Sequence, residues 1–143
     1  MPDKLLLLLN FALAAYLTGV IWTVQLVHYP GFALVSAEAF RAYHQAHLGR
    51  MGWVVMAPMV AELLAAAWWA WAARSAASWW SLGLVAFVWA VTFFVSVPLH
   101  NRLATTHGPE TQLAVYALVR TNWLRTLAWS ARLGLLGWVL VRT

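Results

Sequence analysis

The chain has 143 residues, 64% of them hydrophobic and only 9% charged, against roughly 25% charged in ordinary soluble domains. A single domain of this size cannot hide so much apolar surface from water, so residues 1–143 are expected to form one all-α transmembrane domain. The net charge of +5 comes from nine dispersed Lys and Arg. Nucleic-acid binding is thereby disfavoured, because it needs a concentrated basic footprint. Cysteine is absent, which removes disulfides, thiolate metal sites and cysteine nucleophiles.

In chain order, the first apolar run extends from about Leu5 to Val27. It begins like a signal peptide, with Lys4 as its basic start, but continues too far and lacks a small-x-small cleavage site, so it reads as a retained helix. His28-Tyr29-Pro30-Gly31 is expected to stop it. Ser36-Ala37-Glu38-Ala39 offers an N-cap, so the second helix is expected to begin near Glu38, outside the bilayer, and to span from 51 to 73. A very short turn at Arg74-Ser75 then predicts an antiparallel pair with a third span over 78–99. The sequence around His107-Gly108-Pro109 breaks the next connection, and His107 reads as an exposed loop residue. A helical extension from Thr111 to Arg120 leads into a fourth span over 119–141.

Trp79, Trp80, Trp123 and Trp138 fall near helix ends, where indoles suit the headgroup region, whereas Trp89 and Trp129 fall mid-span and read as packing. Arg41, Arg50, Arg102 and Arg120 outnumber the cations on the face that holds the termini. The positive-inside rule therefore favours a cytoplasmic loop face, and a multi-pass protein of a bacterial inner membrane is expected.

The few polar residues inside the spans are the informative ones. On a helical wheel Asn10, Thr18, Gln25 and His28 of the first helix fall within about 80°. His44, His47, Met51 and Glu62 of the second fall within about 60° if it runs unbroken through Pro58. Thr92, Ser96 and His100 share a face of the third helix, and Asn122, Arg125, Trp129 and Arg132 a face of the fourth. In lipid these faces must turn toward one another. His28, His44, His47 and His100 then gather at the loop end with Asn122, Arg125 and Asn101. Glu62 and Arg132 lie deeper, at matching depth, and are expected to pair.

His44-x-x-His47 is a chelating helical spacing, and His28 and His100 extend the set to a candidate iron, copper or zinc site. Met51 would add a soft copper ligand, although a Met here is more commonly helix packing. His28 and His100 as axial haem ligands form a weaker alternative to hydrogen-bonded interfacial histidines. Glu62 with Arg132 reads equally as a structural pin or as a proton acceptor. Small-residue pairs, Gly49 with Gly52 and Gly134 with Gly137, permit close contacts within the chain or in a homo-oligomer.

Several stretches resemble the four-helix membrane family that includes anthrone oxygenases and many bacterial proteins. They are Gln25-Leu26-Val27-His28-Tyr29-Pro30-Gly31-Phe32, Phe40-Arg41-Ala42-Tyr43-His44 and Pro58-Met59-Val60-Ala61-Glu62, followed by Val97-Pro98-Leu99-His100-Asn101 and Asn122-Trp123-Leu124-Arg125-Thr126. The resemblance implies a monooxygenase-like oxidoreductase that oxidises a lipophilic, phenol-like molecule with dioxygen after a base removes a proton. His28 or His44 is then the expected base, with Asn122 and Arg125 stabilising an oxyanion. The alternatives are a non-enzymatic membrane binder of metal, haem or a lipophile, and a small proton-coupled transporter using Glu62 and Arg132.

Overall fold

The computed structural model describes residues 2–106 and 108–143. Four helices are long and apolar enough to cross a membrane: α1 (Lys4–Leu34), α2 (Ala37–Ala73), α3 (Ala76–Leu103) and α4 (Pro109–Arg142), with mean hydropathies from 1.2 to 2.2 over their most apolar windows. Each packs on its neighbours in sequence, and α4 closes the ring against α1. Short connections make this an up-and-down four-helix bundle.

The helix ends follow their local chemistry. Ser36 caps α2, its hydroxyl accepting from the Ala39 N–H, so α2 starts at Ala37, beside the predicted start near Glu38. Pro58 leaves α2 helical throughout, which keeps Glu62 in register with His44 and His47. Arg74 closes α2 in the left-handed conformation, with φ 48°, while Ser75 and Ser78 form a reciprocal capping box at the start of α3. Gly108, at φ 61° and ψ −137°, precedes Pro109 at the start of α4; that backbone region is essentially reserved for glycine.

The expected stop at His28-Tyr29-Pro30-Gly31 does not occur. Instead α1 widens into a π-helical turn at Val24–His28, continues through Tyr29–Gly31 and tightens into a 3-10 turn at Phe32–Leu34. In α3 the same device appears at Thr92–Ser96, ahead of Pro98. A proline ring clashes with the carbonyl four residues earlier, here Leu26 and Phe94, and both carbonyls lie inside the widened turns. The Tyr29 and Val97 N–H groups reach back five residues, to Val24 and Thr92. A π turn accommodates one extra residue, so everything after it is rotated by one position.

Two apolar clusters fill the interior, one around Leu17, Val88 and Leu118 toward the loop end and one around Leu7, Trp69 and Leu136 toward the termini. Trp79, Trp80 and Trp138 are exposed on the protein surface, as their sequence positions suggested. Of the paired glycines, only Gly137 comes near another helix, where a Cβ would meet the Phe11 ring at 3.6 Å.

Arg74→Gly should raise the thermal unfolding midpoint in detergent, relief of the left-handed strain outweighing glycine's added chain entropy by roughly 0.5 kcal/mol. A lowered midpoint would mean that the Arg74 side chain itself holds the turn.

Candidate functional site

The polar stripes converge inside the bundle in two layers. The deeper layer is centred on Arg132 of α4. Its guanidinium meets Glu62 of α2 at 2.8 Å, and both side chains are 0% exposed. It also donates to the side-chain oxygen of Asn10 on α1 at 2.6 Å and to the Ser81 hydroxyl on α3 at 3.0 Å. Trp129 Nε1 donates to the Glu62 carboxylate at 2.9 Å. Asn10 in turn donates to the Leu6 and Ala65 carbonyls. Every helix supplies a partner, so a charge pair that is costly in hydrocarbon is fully hydrogen-bonded.

The second layer lies at the loop end. Gln25 on α1 donates to the Val119 carbonyl on α4 and accepts from Asn122 Nδ2 at 2.8 Å. The Asn122 side-chain oxygen accepts from Arg125 Nε at 3.1 Å and from Arg125 Nη2. Arg125 Nη2 also donates to the Tyr29 hydroxyl at 3.2 Å. That hydroxyl lies 3.0 Å from His100 Nε2, and His100 Nδ1 lies 3.0 Å from His44 Nε2. The result is an unbroken line, Asn122–Arg125–Tyr29–His100–His44, drawn from all four helices.

Proton positions along it follow from counting. A neutral imidazole has one N–H. If the phenol donates to His100 Nε2, the His100 proton sits on Nδ1 and points at His44, whose own proton is then on Nδ1. His44 Nδ1 is buried without a partner, as is His47 Nδ1. In this assignment Tyr29, His100 and His44 form a run in which each group donates to the next, and such bonds polarise and strengthen one another.

Beside this line is a cavity of about 220 Å³. Its walls are apolar along Leu17, Ile21, Val55 and Met59, and its floor is Trp129. Tyr29, His47, His100 and Arg125 form its polar end.

Of the expected site residues, the structure places His44, Asn122 and Arg125 in the hydrogen-bonded line, the last two fully or nearly buried. His47 is buried at the cavity, its ring 5.7 Å from His100 and 4.5 Å from His28. His28 is half-buried, with its ring against His47, Phe32 and Tyr43. Asn101 is exposed and takes no part. His107 lies outside the described residues. The expected Glu62–Arg132 pair is present.

The four histidines cluster, yet among the described residues no three of His, Asp or Glu are arranged to hold a metal ion. His100 has both ring nitrogens engaged, by Tyr29 and His44. A metal or haem iron would have to displace one of these bonds, so the donor set does not fit either group as it stands.

Sequence reasoning missed Tyr29 as a central group. A constant 100° per residue points His28 inward and Tyr29 aside. The extra residue in the π turn moves Tyr29 into the place computed for His28 and swings His28 toward the α1–α2 boundary. Pro30 was the available signal, since a helix that continues through proline must make room for its ring.

Comparison of the chain with known protein families, with curated proteins and with solved structures returns no match.

Glu62→Gln should destabilise the bundle by roughly 3 kcal/mol or more, because it strands the Arg132 charge in a dry interior. The double variant Glu62→Leu with Arg132→Met should recover most of that loss; thermal unfolding of both in the same detergent decides it.

Proposed function

We propose that this chain is an oxidoreductase of a bacterial inner membrane, which oxidises a lipophilic, phenol-like small molecule with dioxygen. The observation that carries the reading is the mainly apolar cavity whose polar end combines a cation, a phenol and two imidazoles. Small-molecule sites are typically built this way, with few polar groups converging in an apolar pocket. The resemblance to the family of anthrone oxygenases points to the same reaction class, and fully helical spans suit an inner rather than an outer membrane.

In this reading the substrate's acidic C–H or O–H faces His47, whose unpartnered buried nitrogen marks it as a group with capacity to spare. His47 takes the proton as general base, a role for which the sequence favoured His28 or His44. The developing oxyanion rests against the Arg125 guanidinium, which Asn122 orients and whose Nη1 has no partner in the line. Asn122 and His44 act behind the cavity wall: Asn122 fixes Arg125, and His44 holds the His100 ring in place.

For a hydroquinone the balance is QH₂ + O₂ → Q + H₂O₂, and for an activated methylene it is R₂CH₂ + O₂ → R₂C=O + H₂O. In the methylene case the carbanion left after proton removal forms a C–O bond to dioxygen, and the resulting hydroperoxide loses water to leave the carbonyl. The substrate supplies the electrons and dioxygen accepts them.

The bonds that Glu62 and Arg132 make to all four helices favour the structural pin over a proton-coupled transporter.

Oxygen uptake by the protein in nanodiscs, with anthrone and with alkyl hydroquinones as probes, tests the proposal. Uptake above the protein-free rate is expected with at least one probe. His47→Gln should cut it by roughly 100-fold, the usual worth of a general base, and Arg125→Gln by roughly 100-fold or more. Rates equal to the protein-free blank with every probe would reduce the protein to a lipophile carrier.

A further inference from the structure

The cavity is small for the reaction class. An enclosed space of about 150 Å³ accommodates benzene, and this one is about 220 Å³. A single substituted ring fits, whereas three fused rings fill it beyond what a packed interior tolerates. The exposed rim of the cavity, Leu48, Met56 and Val97, lies between α2 and α3, whereas its wall on the α1–α2 side is thin. A wider crevice of about 550 Å³ lies there, open to the bilayer and lined by Ala15, Gly19, Thr23 and Val54. Val20, Val24 and Met51 line both spaces. They form a thin partition, and Met51 is its one long, unbranched member.

Other features mark the crevice as a channel rather than a packing fault. Gly19 lines the crevice on α1 and Gly52 the cavity on α2, so neither presents a side chain to the space it borders. The Tyr16 hydroxyl donates to the Val54 carbonyl at 3.2 Å, tying the two helices together at the end away from the histidines. His28, swung out by the π turn, borders the loop end of the same crevice.

We infer that the cavity and crevice together hold one two-part molecule: a single oxygen-bearing aromatic or quinonoid ring inside, and a long hydrocarbon tail that leaves sideways between α1 and α2 into the bilayer. The inference names the substrate class of the oxidoreductase proposed above and rests on that reading for its chemistry, but not for its geometry. The ring's oxygen meets Arg125 and Tyr29, and its faces lie among His47, His100 and Trp129. The tail replaces lipid along Gly19 and Val54, so binding needs no passage of the apolar part through water. Met51 moves aside as the ring passes.

The test is a decyl-substituted benzoquinone carrying a photoreactive diazirine, either on the ring or at the end of the tail, added to the protein in nanodiscs. Ring labels are expected on cavity residues such as Val55 or Met59, and tail labels on Ala15–Thr23 of α1 and Val54 of α2. Gly52→Phe fills the cavity side of the partition, where a new Cβ meets no atom within 4 Å, and a thermal unfolding scan checks that the bundle stays folded. The substitution should lower ring labelling by about tenfold or more, as overfilling a packed space does. Gly19→Phe should displace the tail label while the ring label persists with a tailless benzoquinone. Tail labels spread evenly over all four helices, or ring labels confined to the loop-face groove around Phe40 and Arg41, would overturn the inference. Labelling as expected without oxygen uptake would leave the binding geometry standing and sink the oxidoreductase; uptake with tailless probes only, and no crevice labelling, would do the reverse.

Discussion

A guanidinium and a carboxylate in a hydrocarbon interior are the constraint around which this bundle is organised. Alone, either Glu62 or Arg132 would be expelled or neutralised. Together, and with Asn10, Ser81 and Trp129 taking the remaining bonds, they tie four helices at one depth. Apolar packing between lipid-soluble helices has little solvent-driven preference for one arrangement over another, because lipid tails are as apolar as the side chains. The pin supplies that preference: rotating or sliding any helix strands a partner of Arg132. It also separates the two apolar clusters, falling between Met59 and Trp69 on α2 and between Trp129 and Leu136 on α4.

With the deep layer fixed, the loop end is free to differ. There the bonds join a phenol and imidazoles to Arg125, which among the described residues has no carboxylate bonded to it. An arginine held by neutral groups keeps its charge available to a ligand. The cavity sits between this cation and the pin, in the half of the bundle where α1 and α3 widen. Each π turn lies within two residues of its proline, and each is followed by a residue of the line, Tyr29 in one case and His100 in the other. Such turns recur at functional sites, and here they set the direction in which those two side chains face.

The four spans, the start of α2 near Glu38 and the pairing of Glu62 with Arg132 were legible because they depend on run length, capping residues and depth, which survive small errors of angle. The line through Tyr29 was not, because side-chain direction is a cumulative quantity. One inserted residue before Pro30 rotates everything after it, and a wheel drawn at constant pitch exchanges His28 for Tyr29. Ser81 and Asn10 were missed as partners of Arg132 for another reason: small polar residues in a span are common enough to pass unnoticed until a buried charge is found beside them. The histidine cluster was anticipated from depth, whereas the bonds among its members depend on ring orientations that the sequence does not encode locally.

Trp129 belongs to both layers at once. Its indole N–H is bound to Glu62, while its ring closes the end of the cavity. The two duties cannot be altered separately. A smaller side chain at this position would lengthen the chamber and admit a bulkier guest, but it would also leave the Glu62 carboxylate short of a donor. The same anchor therefore acts as a ruler: so long as the helices depend on it, evolution can adjust ligand size from the sides and the mouth far more freely than from the bottom.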